Sequence, residues 1–366
     1  MRILILTHQG GTAGSTFSIF YLARGLAQRG HKVFVGCRSD VLLFQLLENT
    51  PVYRIPMTFH SKIDLKNIRQ IKDLVTGQNI QLINAQSGKD RYTSIFANML
   101  YSLNIPIVHT RRQIPLSSGF FLQNWFYTKF TRRIIAVSNG VKDSLINMGI
   151  PPDHITVIHN GTPREKYIRP DLSRTDLIRK SFNIAPSEFV IGCVSRSKKQ
   201  EQLLRALAYV NHPVRIIFIG IETKSEFHSI IQSLNGFHKI HFLGTLTPQD
   251  TLPFYSVFNL NILPSTTEGL SQSLLEAMAF GVPVIATNAA GNMDLIHDGH
   301  NGLLFEDKDI IGLADRINRM FTDQELRDRL IENGKKTALE DFSIEKTIEK
   351  HEALFADLIN QTKQEG

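Results

Sequence analysis

Cysteine is nearly absent from this chain: Cys37 and Cys193 are the only two among 366 residues. Two cysteines without ligand spacing exclude a Cys-rich zinc site, and they suit a reducing, cytoplasmic setting better than a disulfide-bonded one. Long apolar runs are missing too. No stretch reaches about 18 apolar residues, so no membrane-spanning helix is expected. The opening MRILILTHQGG lacks a cleavage-site pattern and reads as a first β-strand rather than a signal peptide. No G-x-G-x-x-G fingerprint follows that strand, because the glycines there stand at 10, 11 and 14 only. Nor does any repeat of about 20–50 residues appear, which excludes a solenoid.

What is present is the composition of a globular protein, 42% hydrophobic and 20% charged. A chain of this length is too long for one ordinary core and fits two domains. Its net charge of +7 is unevenly spread. Residues 1–165 hold 19 Lys and Arg against 8 Asp and Glu, whereas the remainder holds 22 against 26. A basic first half suits an anionic partner, either nucleic acid or an anionic membrane surface. A solvated surface with a Lys/Arg bias is the plainer alternative. No nucleic-acid motif accompanies the charge, so no nucleic-acid partner is expected.

Short apolar runs alternate with helical patterns throughout, which argues for parallel α/β layers. First-half strands are expected at Ile3–Thr7, Lys32–Cys37, Leu82–Ala85, Ile107–Thr110 and Ile134–Ser138. Second-half strands are expected at Phe189–Val194, Arg215–Gly220, Ile240–Leu243, Leu260–Leu263 and Pro283–Ala286. Helices such as Phe17–Arg29 and Leu274–Phe280 lie between them. Two such series indicate two Rossmann-like domains, at 1–165 and 166–345, with a C-terminal helix and tail at 346–366. The polar, proline-bearing stretch 161–171 is the expected crossing.

The most informative segment is 264–302, PSTTEGLSQSLLEAMAFGVPVIATNAAGNMDLIHDGHNG. Pro264 ends a strand, and Ser271 can cap a helix beginning near Gln272. The free amides of that first turn and the positive end of the helix dipole favour a bound phosphate. Glu268 and Glu276 have seven residues between them, about two turns, which is too far for a tight acid/base dyad. An isolated pair of this kind is usually two helix-start acids. With EAMAFGVPVIAT following in register, the segment resembles the donor-binding signature of retaining glycosyltransferases of the GT-B type, family 4 (group 1), the kind that builds bacterial envelope polysaccharide and lipopolysaccharide.

The resemblance implies two Rossmann-like domains with parallel sheets facing across a cleft, and a last helix returning to the first domain. It implies that Glu276 accepts hydrogen bonds from ribose hydroxyls and that Glu268 lies near the donor sugar. Gly269, Leu270, Ser271 and Gly244 fall beside the nucleotide, Gly244 by way of Phe242-Leu243-Gly244. Directly after a strand come Ser195-Arg196-Ser197-Lys198-Lys199. A guanidinium forks across phosphate oxygens and an ammonium adds a point charge, so the loop suits a departing diphosphate without a metal. Arg196 and Lys198 match the family register; Lys199 is the other possible lysine. A solvated basic loop is the plainer reading.

In the first domain the resemblance places Gly11 and Gly14 in the loop after strand one. Turn chemistry alone also explains such glycines. Gln86, Asp90, His109, Arg111 and Arg112 lie at strand ends, where open α/β sheets bind ligands. The family often carries histidines where Gln86 and Arg112 stand, and both are missing here. His109, two or three residues early, reads as pointing into the sheet edge.

Residues 120–133 pack six aromatics, including the only Trp, beside three basic residues. They suit either a helix burying aromatics under the sheet or a membrane-interface segment. The resulting expectation is a metal-independent enzyme without cofactor, taking a nucleotide-sugar donor as co-substrate and a glycan or lipid-linked acceptor. It would be cytoplasmic, at the inner face of the membrane if the aromatic stretch docks there. A sugar-nucleotide epimerase or hydrolase of the same fold, and a degenerate non-catalytic binding module, are the alternatives.

Overall fold

The computed structural model describes residues 1–11, 14–113, 121–167, 172–289 and 291–365, with the side chains of 121–123 and 172 excepted. The chain divides into two compact units, Met1–Pro163 with Ser343–Gly366, and Arg164–Phe342. The divisions fall at 163/164 and 342/343, against 165/166 and 345/346 from the sequence. Part of the expected crossing, 168–171, lies outside the described residues.

In the first unit the strands are β1 (Arg2–Leu6), β2 (Lys32–Cys37), β3 (Tyr53–Pro56), β4 (Leu82–Ala85), β5 (Ile107–Arg111), β6 (Arg133–Ala136) and β7 (Ile155–Val157). They form one sheet of order 3-2-1-4-5-6-7, parallel throughout. The second unit holds β8 (Phe189–Val194), β9 (Val214–Ile219), β10 (Lys239–Phe242), β11 (Leu260–Leu263), β12 (Val284–Thr287) and β13 (Leu303–Phe305). Their order is 10-9-8-11-12-13, again parallel. This is the Rossmann order, so the succession of strands across each sheet reverses once, between β1 and β4 and between β8 and β11. Such a switch point opens a crevice beyond the strand ends. Runs such as ILIL and FVIGCV form these strands because helices cover both sheet faces, leaving no solvated side to demand alternation.

The helix Ile344–Glu365 packs on the first unit although it ends the chain. Ile344, Ile348, Phe355 and Ile359 are buried with Ile19, Leu22 and Leu26 of the helix Gly14–Gln28. Gly25 permits this approach: a Cβ there would come within 2.1 Å of Ile348 Cδ1. Polar ties fix the register. The Thr347 hydroxyl donates to the His159 carbonyl at 2.8 Å and accepts from the Gly161 amide at 2.7 Å. Glu352 accepts from Arg29 at 2.9 Å and His31 at 2.6 Å.

The aromatic stretch serves two environments. Tyr127 is buried, and Phe126 and Phe130 pack against the sheet core. Trp125 is 49% exposed, with the Lys129 ammonium 4.7 Å from its ring centroid. Phe120 and the side chain of Phe121 lie outside the described residues.

Candidate active site

At the switch point of the second unit, the loops after β8 and β11 face each other. Lys198 joins them: its ammonium lies 3.3 Å from Glu268 Oε1 and donates to Thr267 Oγ1 at 3.2 Å. Lys199 turns elsewhere and pairs with Asp307 at 2.7 Å, so the two lysines take different partners. Arg196 is exposed, and its guanidinium makes no hydrogen bond or ion pair among the described residues. The loop owes its shape to Gln200, which is buried. Its amide nitrogen donates to Ser195 Oγ at 2.9 Å and the Arg196 carbonyl at 2.8 Å, and its oxygen accepts from the Lys198 amide at 2.7 Å. Gly220 lies directly behind, with φ +94°; a Cβ there would stand 2.7 Å from the Ser195 carbonyl oxygen. Gly220 donates to the Gly244 carbonyl at 2.7 Å, which links Gly244 to the same layer.

The helix Gln272–Ala279 follows the β11 loop, and its cap is Ser271, which accepts from the Leu274 amide at 3.4 Å. Leu270 packs into the core beside it, while Gly269 is buried. Glu268 holds the Gly291 amide through its carbonyl at 3.1 Å, so its backbone is fixed by the turn after β12. Glu276 sits one turn into the helix, nearly buried. Lys166 pairs with one of its oxygens, and the Tyr255 hydroxyl donates to the other at 3.0 Å. Burial, then the Glu276 charge, push the Tyr255 hydroxyl well above its ordinary pKa, which keeps it a donor. The structure therefore brings Glu268 and Lys198 together and keeps Glu276 apart with its own partners. Sequence reasoning missed Gln200, Lys166 and Tyr255; a lone glutamine, and partners 110 and 21 residues away, carry no local pattern.

In the first unit the corresponding exits are those of β1 and β4. Asp90, fully buried, closes the capping box of the helix Gly88–Tyr101 with Ser87. It accepts from the Gln86 and Ser87 amides, both at 2.8 Å, and from the His8 amide at 3.2 Å. Its oxygens thereby tie the β1 exit to the β4 exit. The His8 ring joins them, 2.7 Å from Ser87 Oγ. Gln86 donates to Asn84 and accepts from Arg112. Gly14 begins the first helix and Gly11 is exposed, with open space around its Cα. His109 is buried in the sheet, with Nδ1 3.1 Å from the Ala85 carbonyl. Arg111 donates to the Gln113 carbonyl at 3.2 Å.

Two family models match. One, described as Glycosyl transferases group 1, matches residues 175–337, and the other, Glycosyltransferase Family 4, matches 12–166. The N-acetyl-alpha-D-glucosaminyl L-malate synthase of Bacillus anthracis is 24% identical over 361 residues, covering 93% of each chain. The UDP-Gal:alpha-D-GlcNAc-diphosphoundecaprenol alpha-1,3-galactosyltransferase of Escherichia coli is 25% identical, covering 81% of this chain and 80% of that one. Among solved structures, Anabaena HepE in complex with UDP and glucose aligns with a TM-score of 0.81 at 24% identity, covering 98% of this chain and 100% of that one. The fold is thus the two-domain, Rossmann-like architecture called GT-B. The chain belongs to the group 1, family 4 glycosyltransferases and is a glycosyltransferase.

Proposed function

We propose that this enzyme moves a sugar, with retention of anomeric configuration and without a metal, from a nucleotide-sugar donor to a glycan or lipid-linked acceptor in envelope polysaccharide or lipopolysaccharide assembly. Residues 166–345 take the donor and 1–165 the acceptor. The observation carrying this reading is the β8/β11 switch point, where Lys198 bridges to Glu268 while the Arg196 guanidinium stands exposed and unpaired beside a capped helix start. Cations and amide dipoles gathered there suit a diphosphate that gains charge as it leaves. In the reaction the anomeric carbon–phosphate oxygen bond breaks and an acceptor oxygen bonds to the same face. The acceptor's proton passes to the departing diphosphate. No cofactor is required, because the donor is itself consumed. A uridine diphosphate donor is favoured by the name of the Escherichia coli protein and by the UDP bound in the Anabaena structure, and the former also supports a lipid-linked acceptor.

Membrane association belongs to the same proposal. Met99, Lys129 and Arg132 line one cavity of about 480 Å³ beside exposed Trp125, and Leu100 is 64% exposed. Aromatic and basic side chains together suit an anionic headgroup layer. Among the described residues no helix is long and apolar enough to cross a membrane, so contact would be peripheral.

Thermal unfolding against UDP, GDP, ADP and CMP, with a metal chelator present, tests the donor site. A nucleotide at 100 times its dissociation constant adds about 2.7 kcal/mol, and each kcal/mol moves the midpoint roughly 2–4 °C. A shift with UDP that is lost in Glu276→Ala supports the reading. No shift with any nucleotide would turn it toward the non-catalytic alternative. Nuclear magnetic resonance of the product's anomeric proton decides retention.

A further inference from the structure

The exits of β4 and β5 gather more positive charge than their surroundings neutralise. Arg111 ends β5 and Arg112 follows it, while Arg91 stands in the first turn of the helix Gly88–Tyr101. His109, beside Ala85 in the strand register, lies among all three. Burial first, then the charges of Arg91, Arg111 and Arg112, hold its pKa well below the ordinary value, so the imidazole stays neutral. The carboxylate acting on Arg91 and Arg112 is Asp90, whose oxygens are already taken up by the Gln86, Ser87 and His8 amides. Among the described residues the arginines otherwise meet neutral groups. Arg112 donates to the Gln86 amide oxygen, Arg111 to a carbonyl, and Arg91 stacks 3.5 Å from the Tyr127 ring centroid. Three guanidiniums against one carboxylate leave an excess of two positive charges.

Polar capacity is left over as well. Arg91 Nε, Arg112 Nε and His109 Nε2 are buried without a hydrogen-bond partner among the described residues. Burial lowers the pKa of all three guanidiniums, that of Arg112 to about 10, yet each remains charged at neutral pH. Desolvating unpaired charge is costly and is offset only when an opposite charge arrives. A phosphate monoester or a diphosphate diester carries about two negative charges, and the guanidinium fork matches its oxygens.

We infer that Arg111 and Arg112, backed by Arg91, form an anion subsite in the first unit that receives a phosphate or diphosphate ester of the acceptor. This rests on the acceptor reading above and adds the chemistry that the acceptor must carry. Phosphate on a sugar and diphosphate on a lipid carrier share that chemistry.

The test titrates the full chain, saturated with UDP to fill the donor site, with pyrophosphate, inorganic phosphate and succinate, following heat on mixing. Pyrophosphate or phosphate should bind in the presence of UDP, and also in Glu276→Ala. Affinity should fall about tenfold or more in Arg111→Gln and in Arg112→Gln, the loss expected for one charge-assisted hydrogen bond. Arg111 is only half-buried, so Arg111→Gln keeps the test open if Arg112→Gln fails to fold. Stronger binding of pyrophosphate would mark a diphosphate ester, and stronger binding of phosphate a monoester. The inference is overturned if succinate binds as tightly as either, if UDP abolishes all anion binding, or if folded Arg111→Gln binds like the native chain. UDP binding in the same cell separates the two readings. If UDP binds and no second anion does, the subsite alone fails. If UDP does not bind, the donor reading fails, and the arginine variants still decide the subsite.

Discussion

Arg196 and Lys198 leave the same loop into different surroundings, and their substitutions should differ accordingly. Arg196 is exposed and has no side-chain partner among the described residues, so Arg196→Ala costs the fold little. Its turnover should fall about 10²–10³-fold, as for the loss of one charge-stabilising donor. Steady-state kinetics with native-like unfolding would establish this, and unchanged kcat would remove Arg196 from the reaction. Gln200 acts through its neighbours. Without its hydrogen bonds to Ser195, Arg196 and Lys198, the loop that aims both cations loses its support. Gln200→Ala should lower kcat about 10–100-fold. Gln200→Glu keeps the acceptor for the Lys198 amide but cannot donate to the Arg196 carbonyl, and should fall between. Equal kcat in both variants at equal unfolding midpoints would make Gln200 merely structural. The sequence exposed the basic loop because consecutive charged residues after an apolar strand are a local pattern. It hid Gln200, which begins the helix after β8 and is buried only once the loop 195–198 folds onto its side chain.

At the scale of elements, the strands that the sequence did not reveal all lie at sheet edges, although the edge strand β10 was expected. β3, β7 and β13 close the ends of their sheets and are only four, three and three residues long. YRIP, ITV and LLF are too short to carry a period, and edge strands are commonly kept short. The start of the helix after β11, at Gln272, was legible because Ser271 is a chemical cap, whereas the apolar pattern alone put it at Leu274. Removing that cap with Ser271→Ala should cost about 1 kcal/mol of stability and weaken nucleotide binding with it. Chemical denaturation with and without UDP separates the two effects, and equal stability would mean that the cap contributes nothing. The C-terminal helix offers a pH test. His351 is buried in it, and burial lowers its pKa from 6.5 to about 4, against its hydrogen bond to the Thr347 carbonyl. The folded state thus resists a proton that the unfolded chain accepts. Stability from this residue is complete above about pH 6.5 and is lost as pH falls toward 4. Between pH 7.5 and 5 the loss should be about 2 kcal/mol. Urea unfolding of the native chain and His351→Gln should show a shallower acid decline in the variant, and parallel curves would refute the assignment.

At the scale of the whole molecule, the basic charge that the sequence displays is divided between two places in the first unit. The excess of basic residues in 1–165 is not spread evenly over functions. Part of it stands at strand exits, where Arg91 is buried and Arg111 and Arg112 are half-buried. Another part stands near Trp125, where Lys129 is exposed and Arg132 lines the same cavity as Met99. The two groups should respond to salt differently, because buried charge is screened far less than exposed charge. Binding to vesicles carrying about one third anionic lipid should therefore weaken steeply as salt rises. Each Lys or Arg near such a surface contributes on the order of 1 kcal/mol, so Lys129→Gln should reduce the bound fraction several-fold. Trp125→Ala should reduce it further at high salt, where the apolar contribution dominates. Vesicle sedimentation from about 50 to 500 mM salt, spanning the screening range, measures both. Binding that is insensitive to salt and to both substitutions would leave the exposed aromatic face without a membrane role. The anion subsite, being partly buried, should lose less affinity across the same series than the vesicle surface does.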